Sequence, residues 1–275
     1  QEYKNFRKSL IKLTQGIFDN YDRIKSKDLK SLNRLAEKRT KKIKSIDKKT
    51  ISEKIDIVVQ LFNDVRELGT PQFSRMARLA FIGNQFFKDL VAKGILNQEE
   101  SEIFLSKIDT VASELKRDFD HVISKKLSIN EFNIRYGHLR PGTYDITKLP
   151  YVKDPGYFLI EKNQKTIINP EIKKQIDKID LEKKIAKFFD DFDISITAKK
   201  LLLFIEDTTV LREKFKFEFT KNLSLALEIL NEVGEQLNFS RDELSHLSIE
   251  SLKGISSSSG ESEIIEFWKS QIQNN

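Results

Sequence analysis

A mainly α, multi-helix protein is the fold class that this sequence predicts, on three observations. Turn formers are scarce, with 10 Gly and 5 Pro in 275 residues, which favours long helices over a many-stranded sheet. Apolar residues recur at three- and four-residue spacing through most of the chain. Ser, Thr or Asn stands three residues before Glu at one helix start after another, the pattern of a reciprocal N-terminal cap.

Residues 3–45 carry helical periodicity, with a break expected near Lys25 to Asp28. Thr50 and Glu53 cap the next helix, whose stripe is Ile55, Val58, Phe62 and Val65; Gly69, just before Pro71, ends it. A third helix is expected from about Phe73 to Val91, ending at Gly94. Asn97 and Glu100 open a fourth, carrying Phe104, Ile108, Val111, Leu115 and Phe119 on one face. Ser128 and Glu131 open a short helix that ends at Gly137. Three of the five prolines fall in 138–168, so this stretch is expected to be a polar loop with room for a short β excursion at Tyr157–Ile160 and Thr166–Ile168. Pro170 suits a first helical position, and 171–191 and 195–237 read as helices. Ser240 and Glu243 form another cap. Ser256 to Gly260 reads as a flexible linker, and Glu261 to Ile272 as an amphipathic helix carrying Ile264, Ile265 and Trp268. The expected organisation is a helical domain over 1–255, with a subdivision near 138–168, followed by the linker and terminal helix over 256–275. There is no internal repeat.

Composition excludes several classes. Hydrophobic residues make up 39% and charged residues 33%, which fits neither a disordered chain nor a membrane protein. The longest apolar run considered, Leu201 to Ile205, is far short of the roughly 18 residues a span needs. The absence of cysteine removes disulfides, thiolate chemistry and cysteine–zinc sites. With no export signal, a cytoplasmic location is expected. Gln1 in place of an initiator Met predicts an excised or processed segment. Residues 1–50 hold 16 Lys/Arg against 6 Asp/Glu, a balance of +10; the whole chain is +6, so the remainder is −4. A solvated helix face accounts for such a stretch, and so does a polyanion partner. The basic residues are interleaved with apolar ones at helical spacing, which favours the solvated face and makes nucleic acid an unlikely partner.

The informative stretch is Arg135-Tyr136-Gly137-His138-Leu139-Arg140-Pro141-Gly142-Thr143-Tyr144-Asp145. It follows a helix and occupies a loop, where binding groups concentrate. Arg135 and Arg140 suit two-point recognition of a phosphate or carboxylate, and Gly137 and Gly142 permit positive φ and close backbone approach. Structure explains the same residues as well: Arg140 and Asp145 make an ion pair that pins the loop, and His138 is a satisfied turn histidine. His121 and His246 read as structural. The chain has no His-Glu-x-x-His, no phosphate loop, no Gly-x-Gly-x-x-Gly and no Gly-x-Ser-x-Gly, and no metal site is expected.

The segment YGHLRPGTYDI (Tyr136–Ile146) resembles the middle region of the phosphoenolpyruvate synthase-like phosphotransferases. TPQFSRMARLAF (Thr70–Phe81) is similar to the family's Arg-bearing helix, and LREKFKFEFTKNLS (Leu211–Ser224) to its Arg-Glu-x-x-Lys-Phe-type helix. With their intervals these cover roughly residues 70–255. Leu139 and Thr143 depart from the commoner Gly-His-Arg-rich loop, and the Gly-His-Leu-Arg-Pro-Gly-Thr-Tyr-Asp form is most similar to the branch containing L-glutamine kinase of capsule phosphoramidate synthesis.

The resemblance implies a helical part lying between an ATP-grasp domain and a swivelling phosphohistidine domain, with ATP and Mg2+ used by the whole enzyme and no cofactor bound by this chain alone. It implies L-glutamine as acceptor, turned with ATP and water into AMP, phosphate and glutamine phosphorylated on its amide nitrogen. Within that frame the loop is expected to recognise the acceptor or to dock the incoming phosphohistidine, with Arg135, Tyr136, Arg140, Thr143, Tyr144 and Asp145 as substrate-binding residues, His138 as base or hydrogen-bond donor, and Asp145 orienting His138 or Arg140. Arg75, Arg78, Arg212, Glu213 and Lys214 form a second tier, for which helix-surface ion pairs are the simpler account. The chain has neither a Gly-rich ATP-grasp segment nor a His after a Thr-Ser pair, so on its own it is expected to be unable to turn over ATP. Two other classes stay open: a non-catalytic helical scaffold or protein-binding module, and a nucleic-acid-binding domain using the basic first fifty residues.

Overall fold

The computed structural model describes residues 1–154, 178–191, 195–256 and 258–273. Among them the fold is all-α, with no strand. The helices are α1 (Glu2–Ser45), α2 (Ile51–Leu68), α3 (Thr70–Ala92), α4 (Gln98–Ser106), α5 (Val111–Ile123), α6 (Ile129–Tyr136), α7 (Lys178–Asp191), α8 (Ala198–Gln236), α9 (Arg241–Ser245), α10 (Ile249–Lys253) and α11 (Glu261–Gln273); a 3-10 turn, Ile46–Lys48, follows α1. The segments proposed for a β excursion, Tyr157–Ile160 and Thr166–Ile168, and the expected helix start at Pro170 lie outside the described residues.

The cap signatures act as read. Thr50 with Glu53, Asn97 with Glu100, Ser128 with Glu131 and Ser240 with Glu243 each bond reciprocally, side chain to backbone in both directions. Two local expectations are corrected. The break near Lys25 to Asp28 does not occur, because Glu2–Ser45 is one helix. No Gly or Pro stands near Lys25 to Asp28, and Asp28, a weak helix former, is held by the Arg75 guanidinium at 2.9 and 2.6 Å. The single helix expected from Asn97 through Phe119 is two. At the joint, the Ser113 hydroxyl accepts from the Thr110 amide at 2.8 Å and donates to Asp109 at 2.8 Å, a local turn that starts α5 afresh.

The chain divides into two compact units, interleaved in sequence. The first comprises the described parts of Gln1–Ser31, Gln72–Glu114 and Ile167–Phe215, and the second those of Leu32–Pro71, Leu115–Thr166 and Lys216–Asn275. Aromatic packing dominates the first: the Phe18 ring lies 4.6 Å from Phe204 and 5.8 Å from Phe86, and Phe87 stacks on Phe104 at 4.9 Å. The second is built on Ile55, Val58 and Leu61 of α2 and on Ala226, Leu230 and Val233 of α8, closed by Ile264 and Trp268 of α11. The terminal amphipathic helix therefore contributes to this core, with Trp268 edge-on to Phe239 at 5.6 Å. A smaller cluster of Phe119, Phe132 and Tyr136 sits under α5 and α6, also in the second unit, and positions the loop that follows.

Candidate functional site

The loop after α6 is tied to its own start. Tyr151 N–H donates to the Leu139 carbonyl at 2.8 Å, and Val152 N–H to that of Gly137 at 3.1 Å. Gly142 has φ +60 and closes a tight turn with Asp145 N–H, so the positive φ expected there is used. Gly137 is different. Its φ is −60, and what requires glycine is space: a Cβ there would stand 2.9 Å from the Val152 Cβ.

The sequence-derived residues do not converge on one ligand. Arg135 is exposed and donates to Asp118 at 2.9 Å. The Tyr136 ring is buried in the small cluster, and its hydroxyl donates to the same Asp118 oxygen at 2.9 Å. The Arg140 side chain is 1% exposed and meets Glu228 at 3.1 Å. It also donates to the Ser224 hydroxyl at 2.9 Å and the Lys148 carbonyl at 3.2 Å. The expected Arg140–Asp145 ion pair is thus replaced by Arg140–Glu228, since a buried guanidinium requires a close carboxylate. Asp145 instead accepts from the Thr147 amide at 2.9 Å and hydroxyl at 2.7 Å, an Asx turn that holds its carboxyl below the usual range. Thr143 is half-buried, and Tyr144 is 70% exposed. The proposed two-arginine clamp is therefore absent: Arg135 is committed to Asp118, and Arg140 is sealed inside the fold.

Glu228 is the hub of this network. It also receives Arg241 at 3.1 Å and Lys153 at 2.6 Å. Burial alone would raise its carboxyl, but its bonds to Arg241 and Lys153 overcome that and hold it below the ordinary carboxylate range. Burial shifts the Arg140 guanidinium the other way, downward.

His138 lies beside a cleft of about 340 Å³ in the same unit, lined among others by Arg39, Asn133, Lys221, Ser224 and Glu228. Its ring meets Phe217 edge-on at 4.7 Å, and its Nε2 is closed off from solvent with no hydrogen-bond partner. Burial, and then the positive Lys221 and Arg39, push its pKa down to about 4, so the ring is neutral at pH 7. It is not a cation for an oxyanion. The cleft's cations are residues that sequence reasoning did not single out. Arg39 donates to Asn222 Oδ1 at 2.7 Å and to the Glu218 carboxylate at 3.3 Å, and Lys221 Nζ lies 2.6 Å from Glu218 and 4.5 Å over the Phe217 ring. Lys221 falls within the Leu211–Ser224 segment that carries the resemblance, seven residues past Lys214. No local signal separates Arg39 from its basic neighbours.

The depressed His138 pKa ties folding stability to pH. The unfolded ring takes up a proton near 6.5, which the folded ring refuses until about 4. The stability tied to this group is therefore fully present above 6.5 and is lost as pH falls toward 4. Thermal melts between pH 7.5 and 5 should show a steeper loss of Tm in the wild type than in His138→Gln; parallel pH profiles would mean the ring titrates normally.

The second-tier residues all belong to the first unit. Arg75 is bidentate to the buried Asp28, and Arg212 pairs with its neighbour Glu213 at 2.6 Å. Arg78 and Lys214 are exposed. Among the described residues no group of three His, Asp or Glu side chains is placed to hold a metal ion, and no helix is long and apolar enough to cross a membrane. No protein-family model, curated protein or solved structure matches this chain.

Proposed function

We propose that this chain is the helical middle part of an ATP-dependent, phosphoenolpyruvate synthase-like phosphotransferase, and that the cleft beside His138 receives the acceptor, L-glutamine. The observation that carries this reading is the bipolar lining of the cleft. Arg39 and Lys221, which share the one carboxylate of Glu218, leave a net positive charge, while Glu228 offers a carboxylate. Lys221 and Glu228 are seven residues apart on α8, about two turns or roughly 10 Å along the axis, a gap that the flexible Lys221 stem must close, since an amino acid carries its carboxylate and ammonium on one carbon. A zwitterionic amino acid presents a carboxylate to the first pair and an ammonium to the second. Lys153, 52% exposed, is the Glu228 contact an incoming ammonium would displace. Asn133 and Ser224 supply neutral hydrogen-bonding groups for a side-chain amide. The neutral His138 neither repels the ammonium nor competes for the carboxylate.

In this reading ATP and Mg2+ are held by an ATP-grasp domain, and the phosphoryl group travels on a histidine of a swivelling domain, leaving AMP, phosphate and amide-phosphorylated glutamine. Phosphoryl transfer depends on positioning and charge stabilisation, which Arg39 and Lys221 provide at the cleft. Arg135, exposed at the loop's start, is left as a contact for a neighbouring domain. The test uses the full-length enzyme with ATP and L-glutamine, with products followed by phosphorus NMR. Lys221→Met should raise the L-glutamine KM tenfold or more and leave the KM for ATP unchanged. A glutamine KM within twofold of wild type would remove the cleft from the acceptor site, and AMP release independent of glutamine would remove glutamine as the acceptor.

A further inference from the structure

The first turns of α1, in the first unit, carry an apolar seam that the fold leaves uncovered. Every residue from Gln1 to Leu10 is exposed, and Tyr3, Phe6, Leu10 and Leu13 are 78%, 62%, 48% and 68% exposed. Their spacing is three, four, three, and Ile17 continues it before Phe18 enters the chain's own core. In heptad terms Tyr3, Leu10 and Ile17 occupy a, and Phe6 and Leu13 occupy d. The stripe is narrow, bounded by Glu2, Ser9, Arg7 and Thr14. A strict a/d stripe is a coiled-coil seam, whereas a helix packed on a core or lying in a membrane surface carries a broader apolar face.

The charges select the occupant. Lys4, Lys8 and Lys12 fall at b, f and c, turned away from the seam, so an acidic partner helix seated on it would find no lysine to neutralise. The charged residues that flank the seam are Glu2 at g and Arg7 at e. In a parallel pair, g of one helix meets e of the other five residues on, which sets Glu2 against Arg7 twice by two-fold symmetry. Antiparallel pairing sets like positions together and leaves this match unused. Arg7 also has an interaction within its own chain, so the contact between copies shares it.

We infer that Tyr3–Leu13 is a self-association surface that pairs with a second copy of this chain as a parallel, two-stranded coiled coil. It is independent of the acceptor reading. The seam is under three heptads, so association is weak and belongs to the high-micromolar range.

Because the chain has no cysteine, a single introduced thiol reports on it cleanly. Leu10→Cys, at a, should form a disulfide-linked dimer on mild oxidation, since facing a positions lie within bridging distance. Lys8→Cys, on the outer face, should stay largely monomeric. Sedimentation of the wild-type 275-residue chain should show mass rising with concentration, and the Phe6→Ser, Leu13→Ser double variant should remain monomeric with unchanged helical circular dichroism. A wild type that stays monomeric at high concentration overturns the inference. So does equal crosslinking at positions 8 and 10, or binding of the monomer to anionic vesicles that the double variant abolishes.

Discussion

Replacing Trp268 with alanine is expected to lower the free energy of unfolding by about 3–5 kcal/mol. The indole is 0% exposed and fills the second unit's core between α8 and α11, edge-on to Phe239. Its truncation removes the largest side chain of that core and leaves a cavity that rigid helices close only in part. The Nε1–H, however, is buried without a partner, which subtracts from what the ring contributes. Trp268→Phe keeps most of the apolar volume and removes the orphan donor, so it should cost only about 1–2 kcal/mol. Urea unfolding followed by helical circular dichroism separates the two. Equal losses for Phe and Ala would show that the core does not depend on ring volume at this position.

Local chemistry was legible in the sequence, and distant pairing was not. The caps at Thr50, Asn97, Ser128 and Ser240 were readable because both partners lie three residues apart and act on the same backbone turn. The stripe of α2 was readable for the same reason: Ile55, Val58 and Val65 are buried as their spacing requires. The joint after Ser106 is hidden in the sequence because the apolar stripe runs across it. Ile108 and Phe119 are both buried although the helix is interrupted between them, and the Asp109–Thr110–Ser113 turn is what marks the break. Asp28 looked like a breaker because its partner Arg75 is 47 residues away. The loop shows the same limit more sharply. Its polarity marked it correctly as special, but Arg140 finds its carboxylate 88 residues on, at Glu228. The arginine that reads as a ligand clamp is a buried strut, and the cations at the cleft come from α1 and α8.

That strut sets the second large effect. Glu228→Gln should destabilise the protein by about 3–5 kcal/mol, because it leaves the buried Arg140 charge without its anion. The same carboxylate holds Arg241, whose side chain is 17% exposed and also donates to the Ile146 carbonyl at 2.8 Å, so its loss loosens the loop's anchor to α9 as well. Arg140→Met should be milder, about 1–2 kcal/mol, although it deletes the more deeply buried partner. In that variant Glu228 keeps Arg241 and Lys153, and Ser224 Oγ loses one donor but no charge is stranded. The order of the two variants therefore distinguishes a single ion pair from a hub. Two isolated partners would cost alike, whereas a hub makes removal of the shared carboxylate the dearer change. Urea midpoints at pH 7 measure it directly, and Arg140→Met proving as damaging as Glu228→Gln would show that Arg241 and Lys153 lend Glu228 no support. The acceptor reading also depends on this hub, because Glu228 can offer its carboxylate at the cleft only while Arg241 holds it ionised and Arg140 helps fix it in place.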